Sequence, residues 1–161
     1  MSKRLLALIV IVMSVICDYY TKLSAVTKLK DTGLGSFDIF PDILSFTYHE
    51  NRGAAFGMLS ESRWVFMLVS SIAIIALGVY LFVFNSKSTL GAISLGLIMG
   101  GGIGNMIDRI KLGYVVDFIY FEPIDFPIFN FADICVTIGA ALLILQVIFF
   151  DKKEGDLQGT T

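Results

Sequence analysis

The sequence predicts an all-α membrane protein with four transmembrane helices, and its composition is the first observation behind this prediction. Hydrophobic residues make up 56% of the 161 positions and charged residues only 16%. The mean hydropathy is +0.80. These values lie outside the usual range of soluble domains. The length suits a single integral membrane domain that covers residues 1–161.

Four charge-free apolar segments are the second observation. They cover residues 5–17, 64–84, 90–107 and 134–150. A helix needs about 20 residues to cross a bilayer core, so the first and fourth segments must include polar neighbours. We therefore predict spans at approximately residues 5–22, 64–84, 90–107 and 133–150.

The alternating direction of the spans brings one group of polar residues to a single membrane face, which is the third observation. The group contains Asp18, Asn51, Asn105, Asp108, Asp117 and Asp133. Short segments that include both termini and together carry a net positive charge lie at the opposite face. Such segments favour the cytoplasmic side, so we expect cytoplasmic termini and a polar group near the extracytoplasmic face.

Two stretches on the polar face have the composition of β-strands. Residues 36–57 and 113–127 are rich in aromatic and β-branched residues and contain turn-forming Pro and Gly. We expect these stretches to form a small β-rich element beside the membrane.

Asp117 and Asp133 are the strongest candidates for chemistry. Each lies beside apolar residues close to the predicted fourth span, where a charge is costly and needs a functional reason. In aspartic proteases, two neighbouring carboxyl groups share a proton and activate a water molecule. Asp133 also has a structural explanation, because Asn130 followed three residues later by an acid resembles a helix-capping box. Asp117 has no comparable structural explanation.

Two motifs before the second span each allow two interpretations. Asp18 and Lys22 form either an ordinary ion pair at i,i+4 spacing or an anchor for a polar headgroup or a substrate backbone. Asn51 and Gly53 belong either to a tight turn or to a loop that lets another backbone approach closely.

The third span combines small and polar residues. Glycine recurs at every fourth position, which favours close helix packing, at Gly96, Gly100 and Gly104. The end of this span carries Asn105, Asp108 and Arg109. These three residues form either a helix-terminal ion pair or a network that positions a ligand.

Composition and spacing disfavour several other functions. The net charge is −2 without a basic run, so nucleic acid is not expected as a partner. Cys17, Cys135 and the single His49 show no metal-ligand spacing, so we expect no metal and no cofactor. A catalytic Ser-Lys dyad that uses Lys22 remains an alternative, although no serine is singled out by its context. The intramembrane acids alone support a hydrolase and a small ion-coupled transporter or channel equally.

Five motifs, in this order and at this spacing, resemble the lipoprotein signal peptidase family, the type II signal peptidases of bacteria. They are Asp18-x-x-Thr21-Lys22, Asn51-x-Gly-Ala-Ala-Phe-Gly57, Gly104-Asn-x-x-Asp-Arg109, Val115-Val-Asp-Phe118 and Phe129-Asn-x-Ala-Asp133. The resemblance covers nearly the whole chain. It departs at Tyr19, where the family usually has Gln, and at Ile134, where the family often has a small or hydroxylated residue.

The resemblance implies an inner-membrane aspartic endopeptidase that removes the signal peptide from diacylglyceryl-modified prolipoproteins, cleaving before the lipidated cysteine. It implies four transmembrane helices with a small extracytoplasmic β-cradle and no cofactor. Membrane lipids and peptide antibiotic inhibitors would be further partners. The catalytic residues would be Asp117 and Asp133. The substrate-binding residues would be Asp18, Lys22, Asn51, Gly53, Asn105, Asp108, Arg109 and Asn130.

Overall fold

The structure, a computed structural model, describes residues 2–53, 63–84 and 88–151. This part of the chain forms four α-helices and a three-stranded antiparallel sheet. The helices are α1 (Lys3–Ala25), α2 (Arg63–Val79), α3 (Thr89–Lys111) and α4 (Phe131–Gln146). The strands are β1 (Ser36–Phe40), β2 (Leu44–Asn51) and β3 (Val115–Phe121).

Three helices continue into a wider π-helical turn. These turns are Val26–Lys30 after α1, Tyr80–Phe84 after α2 and Val147–Asp151 after α4. The first helix therefore extends well beyond Lys22, where the predicted span ends. The extension is stabilised because Ala25 and Leu29 are buried against apolar residues of β3.

Three of the described helices are long and apolar enough to cross a membrane, at Lys3–Lys30, Thr89–Lys111 and Phe131–Phe149. The apolar stretch found in the described part of α2, Met67–Val83, is shorter. The protein is therefore mostly helical, with three long apolar helices and a small sheet. A fourth membrane crossing by α2 stays a prediction.

The sheet has the strand order β1-β2-β3. The hairpin between β1 and β2 contains Pro41 and Asp42, and Asp42 adopts a positive φ of 60°. Aspartate tolerates this left-handed conformation better than most residues do. The predicted β-rich stretch 36–57 contains β1 and β2, although residues 54–57 lie outside the described residues. The stretch 113–127 contains β3.

Pairing between β2 and β3 places the sheet next to the helix ends. Asn51 lies opposite Val115, and His49 lies opposite Asp117, with an irregularity in register between Phe46 and His49. Val116 of β3 belongs to the apolar cluster that packs against the end of α1. The sheet therefore holds Asp117 close to the ends of α1 and α3.

Glycines allow α3 to approach α1 closely. A Cβ atom at Gly100 would lie 2.6 Å from Ser14 Cβ, and one at Gly104 would lie 2.5 Å from Asp18 Oδ2. Real Cβ atoms do not approach other atoms this closely, so a larger residue would push the helices apart. The packing interpretation of the glycine stripe is confirmed.

The contact between α3 and α4 depends on glycines from both helices. Gly101 of α3 leaves room for the backbone carbonyl of Ala132. A Cβ at Gly139 of α4 would lie 2.8 Å from the backbone oxygen of Ser94. Helix α3 is therefore packed closely between α1 and α4, and the start of α4 lies next to the end of α3.

Gly100→Ala should destabilise the protein. The new Cβ would meet Ser14 Cβ at 2.6 Å and the backbone oxygen of Ile11 at 3.1 Å, and a backbone atom cannot rotate away. Overpacking of this kind costs about 1–3 kcal/mol, so the thermal unfolding midpoint in detergent should fall. Gly78→Ala is the matched control, because its Cβ would lie 3.6 Å from the flexible end of Met99. Equal midpoints for the two variants would contradict the close contact.

Candidate active site

Asp117 and Asp133, called the dyad below, meet in one hydrogen-bonded site in which every carboxylate oxygen accepts an N–H group. Asp117 Oδ1 accepts from Asn130 Nδ2 at 2.5 Å, and its Oδ2 accepts from Asn51 Nδ2 at 2.8 Å. Asp133 Oδ1 accepts from Asn105 Nδ2 at 2.8 Å. Asp133 Oδ2 accepts from the backbone N–H of Asn130 at 3.1 Å. Asn130 therefore links the two aspartates.

The orientation of all three amides follows from groups that can only donate hydrogen bonds. Asn51 Oδ1 accepts from the backbone N–H of Gly53 at 3.0 Å. Asn130 Oδ1 accepts from the backbone N–H of Asp133 at 3.0 Å. Asn105 Oδ1 accepts from the Lys22 ammonium at 2.9 Å. Because a backbone N–H and an ammonium group cannot accept, each amide turns its oxygen to that donor and its NH₂ group to the dyad.

The first turn of α4 creates half of the site. Asn130 is the N-cap residue, and its reciprocal bonds with Asp133 form a complete capping box. The capping interpretation of these two residues is confirmed, and the same bonds place Asp133 beside Asp117. The opposite half comes from the middle of β3 and from the end of β2. His49, the strand partner of Asp117, is exposed.

Lys22 lies between two further carboxylates. Its Nζ is 2.8 Å from Asp18 Oδ2 and 3.0 Å from Asp108 Oδ2. Asp18 Oδ1 in turn accepts from the backbone N–H of Ala132 at 3.0 Å. Asp108 Oδ2 accepts from the backbone N–H of Val116 at 3.2 Å. The ion pair between Asp18 and Lys22 is confirmed, and Asp108 is a second partner of the same lysine.

Arg109 lies beside this network. Its Nη1 donates to the backbone oxygen of Asn105 at 3.4 Å. Its guanidinium also interacts electrostatically with Asp133, Asp117 and Asp108. All ten predicted site residues lie within the described chain and are thus brought together in one place.

Sequence reasoning missed the backbone groups of Ala132 and Val116. Every residue except Pro carries a backbone N–H, so no side chain marks these positions as hydrogen-bond donors to Asp18 and Asp108.

Of the two departures from the family pattern, Tyr19 is exposed and packs edge-on against Tyr20, with ring centroids 5.4 Å apart.

The two dyad carboxyl groups differ in their surroundings. Asp117 is only 1% exposed, and burial raises the pKa of its carboxyl to about 7, with the charge of Asp133 acting in the same direction. Hydrogen bonds from Asn51 and Asn130 lower this pKa and oppose the effect. Asp133 is less buried and lies in the first turn of a helix, where the macrodipole favours a negative charge.

Comparison with known proteins gives the family. The family model described as Signal peptidase (SPase) II matches residues 10–149. The chain belongs to the signal peptidase II family. It is similar to the lipoprotein signal peptidase of Symbiobacterium thermophilum, at 41% identity over 152 residues, covering 92% of this chain and 98% of the relative. It is also similar to the lipoprotein signal peptidase of Clostridium tetani, at 43% identity over 151 residues, covering 91% and 95%.

Solved structures support the same membership. Two structures of a bacterial membrane enzyme, determined by the in meso method at 2.3 Å and 1.9 Å resolution, are each 36% identical to the chain with a TM-score of 0.79. The first match covers 88% of this chain and 87% of the other, and the second covers 89% and 93%. The chain is therefore a peptidase of lipoprotein processing, and the family disfavours the transporter or channel alternative.

Asp117→Asn should remove a pH dependence of stability. Because the folded-state pKa of Asp117 is raised to about 7, its protonated form favours folding at low pH, and this contribution is lost as the pH rises to about 7. Between about pH 5 and pH 7, the unfolding midpoint of the wild-type protein should therefore fall more than that of the variant. Asp38→Asn, at an exposed aspartate of β1, should keep the wild-type slope. An unchanged slope in Asp117→Asn would contradict the raised pKa.

Proposed function

We propose that this chain is a membrane aspartic endopeptidase that removes the signal peptide from diacylglyceryl-modified prolipoproteins and cleaves before the lipidated cysteine. One observation carries the proposal: two carboxyl groups from different elements meet in a shell of N–H donors, in a member of the signal peptidase II family. The substrate class is supported by the family and by the motifs that the chain shares with it.

The two carboxyl groups take different roles in this proposal. Asp117 is buried in β3 and keeps the shared proton, whereas Asp133 at the start of α4 carries the charge. Asp133 takes a proton from water while the water oxygen bonds to the scissile carbonyl carbon. Asp117 donates its proton to the carbonyl oxygen, which stabilises the tetrahedral intermediate.

The intermediate then breaks down by the reverse proton movements. Asp133 gives its proton to the leaving nitrogen, and the bond between carbon and nitrogen breaks. The hydroxyl formed from the carbonyl oxygen returns its proton to Asp117 as the new carboxyl group forms. The dyad ends with one proton, as it began, and no covalent intermediate is required.

The other predicted site residues fall into two groups around the dyad. Asn51, Asn105 and Asn130 donate to it directly. In the second group, Lys22 and Gly53 donate to the oxygens of two of these asparagines. Asp18 and Asp108, the ion-pair partners of Lys22, accept backbone N–H groups beside the dyad. Contacts of the first group, of Gly53 and of Arg109 with substrate are part of the proposal.

The proposed location is the bacterial inner membrane, with four spans and both termini in the cytoplasm. The active site then lies near the extracytoplasmic face, where the lipid chains of a prolipoprotein can stay in the bilayer. The three long apolar helices support this arrangement, as does the net positive charge that the short segments assigned to the opposite face carry together. Peptide antibiotic inhibitors of the family would compete for the same site.

Asp117→Asn and Asp133→Asn should each abolish cleavage. Asparagine keeps the shape of the side chain but cannot take a proton from water or share one with its partner, so the double variant should be hardly slower than either single variant. Cleavage of a lipidated prolipoprotein is followed by gel shift at matched expression. Asp38→Asn is the control and should cleave normally. Substantial cleavage by either single variant would remove that residue from the dyad.

The two faces of the proposed topology should be accessible from opposite sides of the membrane. Asp31→Cys and Lys87→Cys, each in a Cys17→Ala/Cys135→Ala background, report on the two faces. A membrane-impermeant thiol reagent should label position 31 from the extracytoplasmic side and position 87 only after permeabilisation. Labelling of both from one side would contradict the four-span arrangement.

A further inference from the structure

Lys22 has no hydrogen-bonding capacity left for a substrate. Its ammonium group has three N–H bonds and three acceptors: Asp18 Oδ2 at 2.8 Å, Asp108 Oδ2 at 3.0 Å and Asn105 Oδ1 at 2.9 Å. The Lys22 side chain is only 5% exposed. A residue with this environment acts on neighbouring protein groups and not on a ligand.

The two carboxylates held by Lys22 reach the backbone directly beside the dyad. Asp18 accepts from the N–H of Ala132, the residue before Asp133. Asp108 accepts from the N–H of Val116, the residue before Asp117. One ammonium group thus connects the two chain segments that carry the catalytic aspartates, although these segments belong to α4 and β3.

The third bond of Lys22 reaches the dyad through an amide. Asn105 could present either its oxygen or its NH₂ group to a neutral neighbour, but only its oxygen to an ammonium group. Its NH₂ group is thereby directed to Asp133 Oδ1. Asn130 Nδ2 supports the same orientation with a neutral bond of 3.1 Å to Asn105 Oδ1. The charged bond from Lys22 is the stronger of the two.

We propose that Lys22 is a positioning residue of the dyad: with Asp18 and Asp108 it forms a clamp that sets the separation of Asp117 and Asp133 and directs the Asn105 amide to Asp133. This inference rests on the proposed function and deepens it. It assigns Lys22, Asp18 and Asp108 to the geometry of the reacting groups and not to contact with substrate.

The inference predicts a specific kinetic effect for Lys22→Met. The variant should lower kcat for a lipidated prolipoprotein by about 10- to 100-fold and change KM by less than about threefold, because the dyad is misaligned while the substrate contacts remain. Lys28→Met is the matched control, at an exposed lysine further along the same helix, and should cleave at the wild-type rate.

A double-mutant cycle with Asn105→Ala separates this role from direct substrate binding. Since part of the effect of Lys22 passes through Asn105, the combined variant should be clearly faster than the product of the single effects predicts. Fully multiplicative losses, or a Lys22→Met effect confined to KM, would overturn the inference. Absence of cleavage by the wild-type protein would instead overturn the proposed function.

Lys22→Met leaves the carboxylates of Asp18 and Asp108 without their cation, which could by itself destabilise the protein. A charge-balanced variant tests for this effect. Lys22→Met/Asp108→Asn removes one charge of each sign and keeps an oxygen for the N–H of Val116. Its unfolding midpoint in detergent should stay within about 5 °C of the wild-type value while kcat stays reduced. Restoration of wild-type kcat would show that Lys22 only balances the charge of Asp108. Loss of the folded state would show that Lys22 acts on stability. Either result would overturn the inference.

Discussion

The site depends on hydrogen bonds from groups that have no alternative to donating. A backbone N–H of Gly53, a backbone N–H of Asp133 and the ammonium of Lys22 each hold the oxygen of one asparagine. The three NH₂ groups are thereby directed to the dyad. An amide could otherwise rotate and present its oxygen to a carboxylate, which would repel it. Two nearby carboxyl groups in a largely apolar protein can be maintained because this shell satisfies all four of their oxygens.

The close packing of the helices also supports the polar network around the dyad. Gly104 has no side chain, and the space that a Cβ would fill is taken by the carboxylate of Asp18, 2.5 Å from that position. Asp18 can therefore lie between α1, α3 and the start of α4, where it bonds to both Lys22 and Ala132. A glycine that appears in the sequence as a packing residue is thus also a requirement of the polar network.

Much of this could be predicted from the sequence. Charge-free segments indicated the helices, the alternating direction of the spans brought the polar residues together, and the i,i+4 spacing indicated the pair of Asp18 and Lys22. The sharing of Lys22 with Asp108 could not be predicted, because it depends on the crossing of α1 and α3. The irregular register between β2 and β3 was also unpredictable, since local β-propensity does not specify which residues pair.

The central claim is that Asp117 and Asp133 together act on the scissile bond. Its most direct test is an experimental structure of the protein with a lipidated prolipoprotein peptide whose scissile amide is replaced by a hydroxyethylene group. The account predicts that the hydroxyl lies within about 3 Å of a carboxylate oxygen of each aspartate. A peptide seated elsewhere, with its hydroxyl beyond hydrogen-bonding distance of both aspartates, would contradict it.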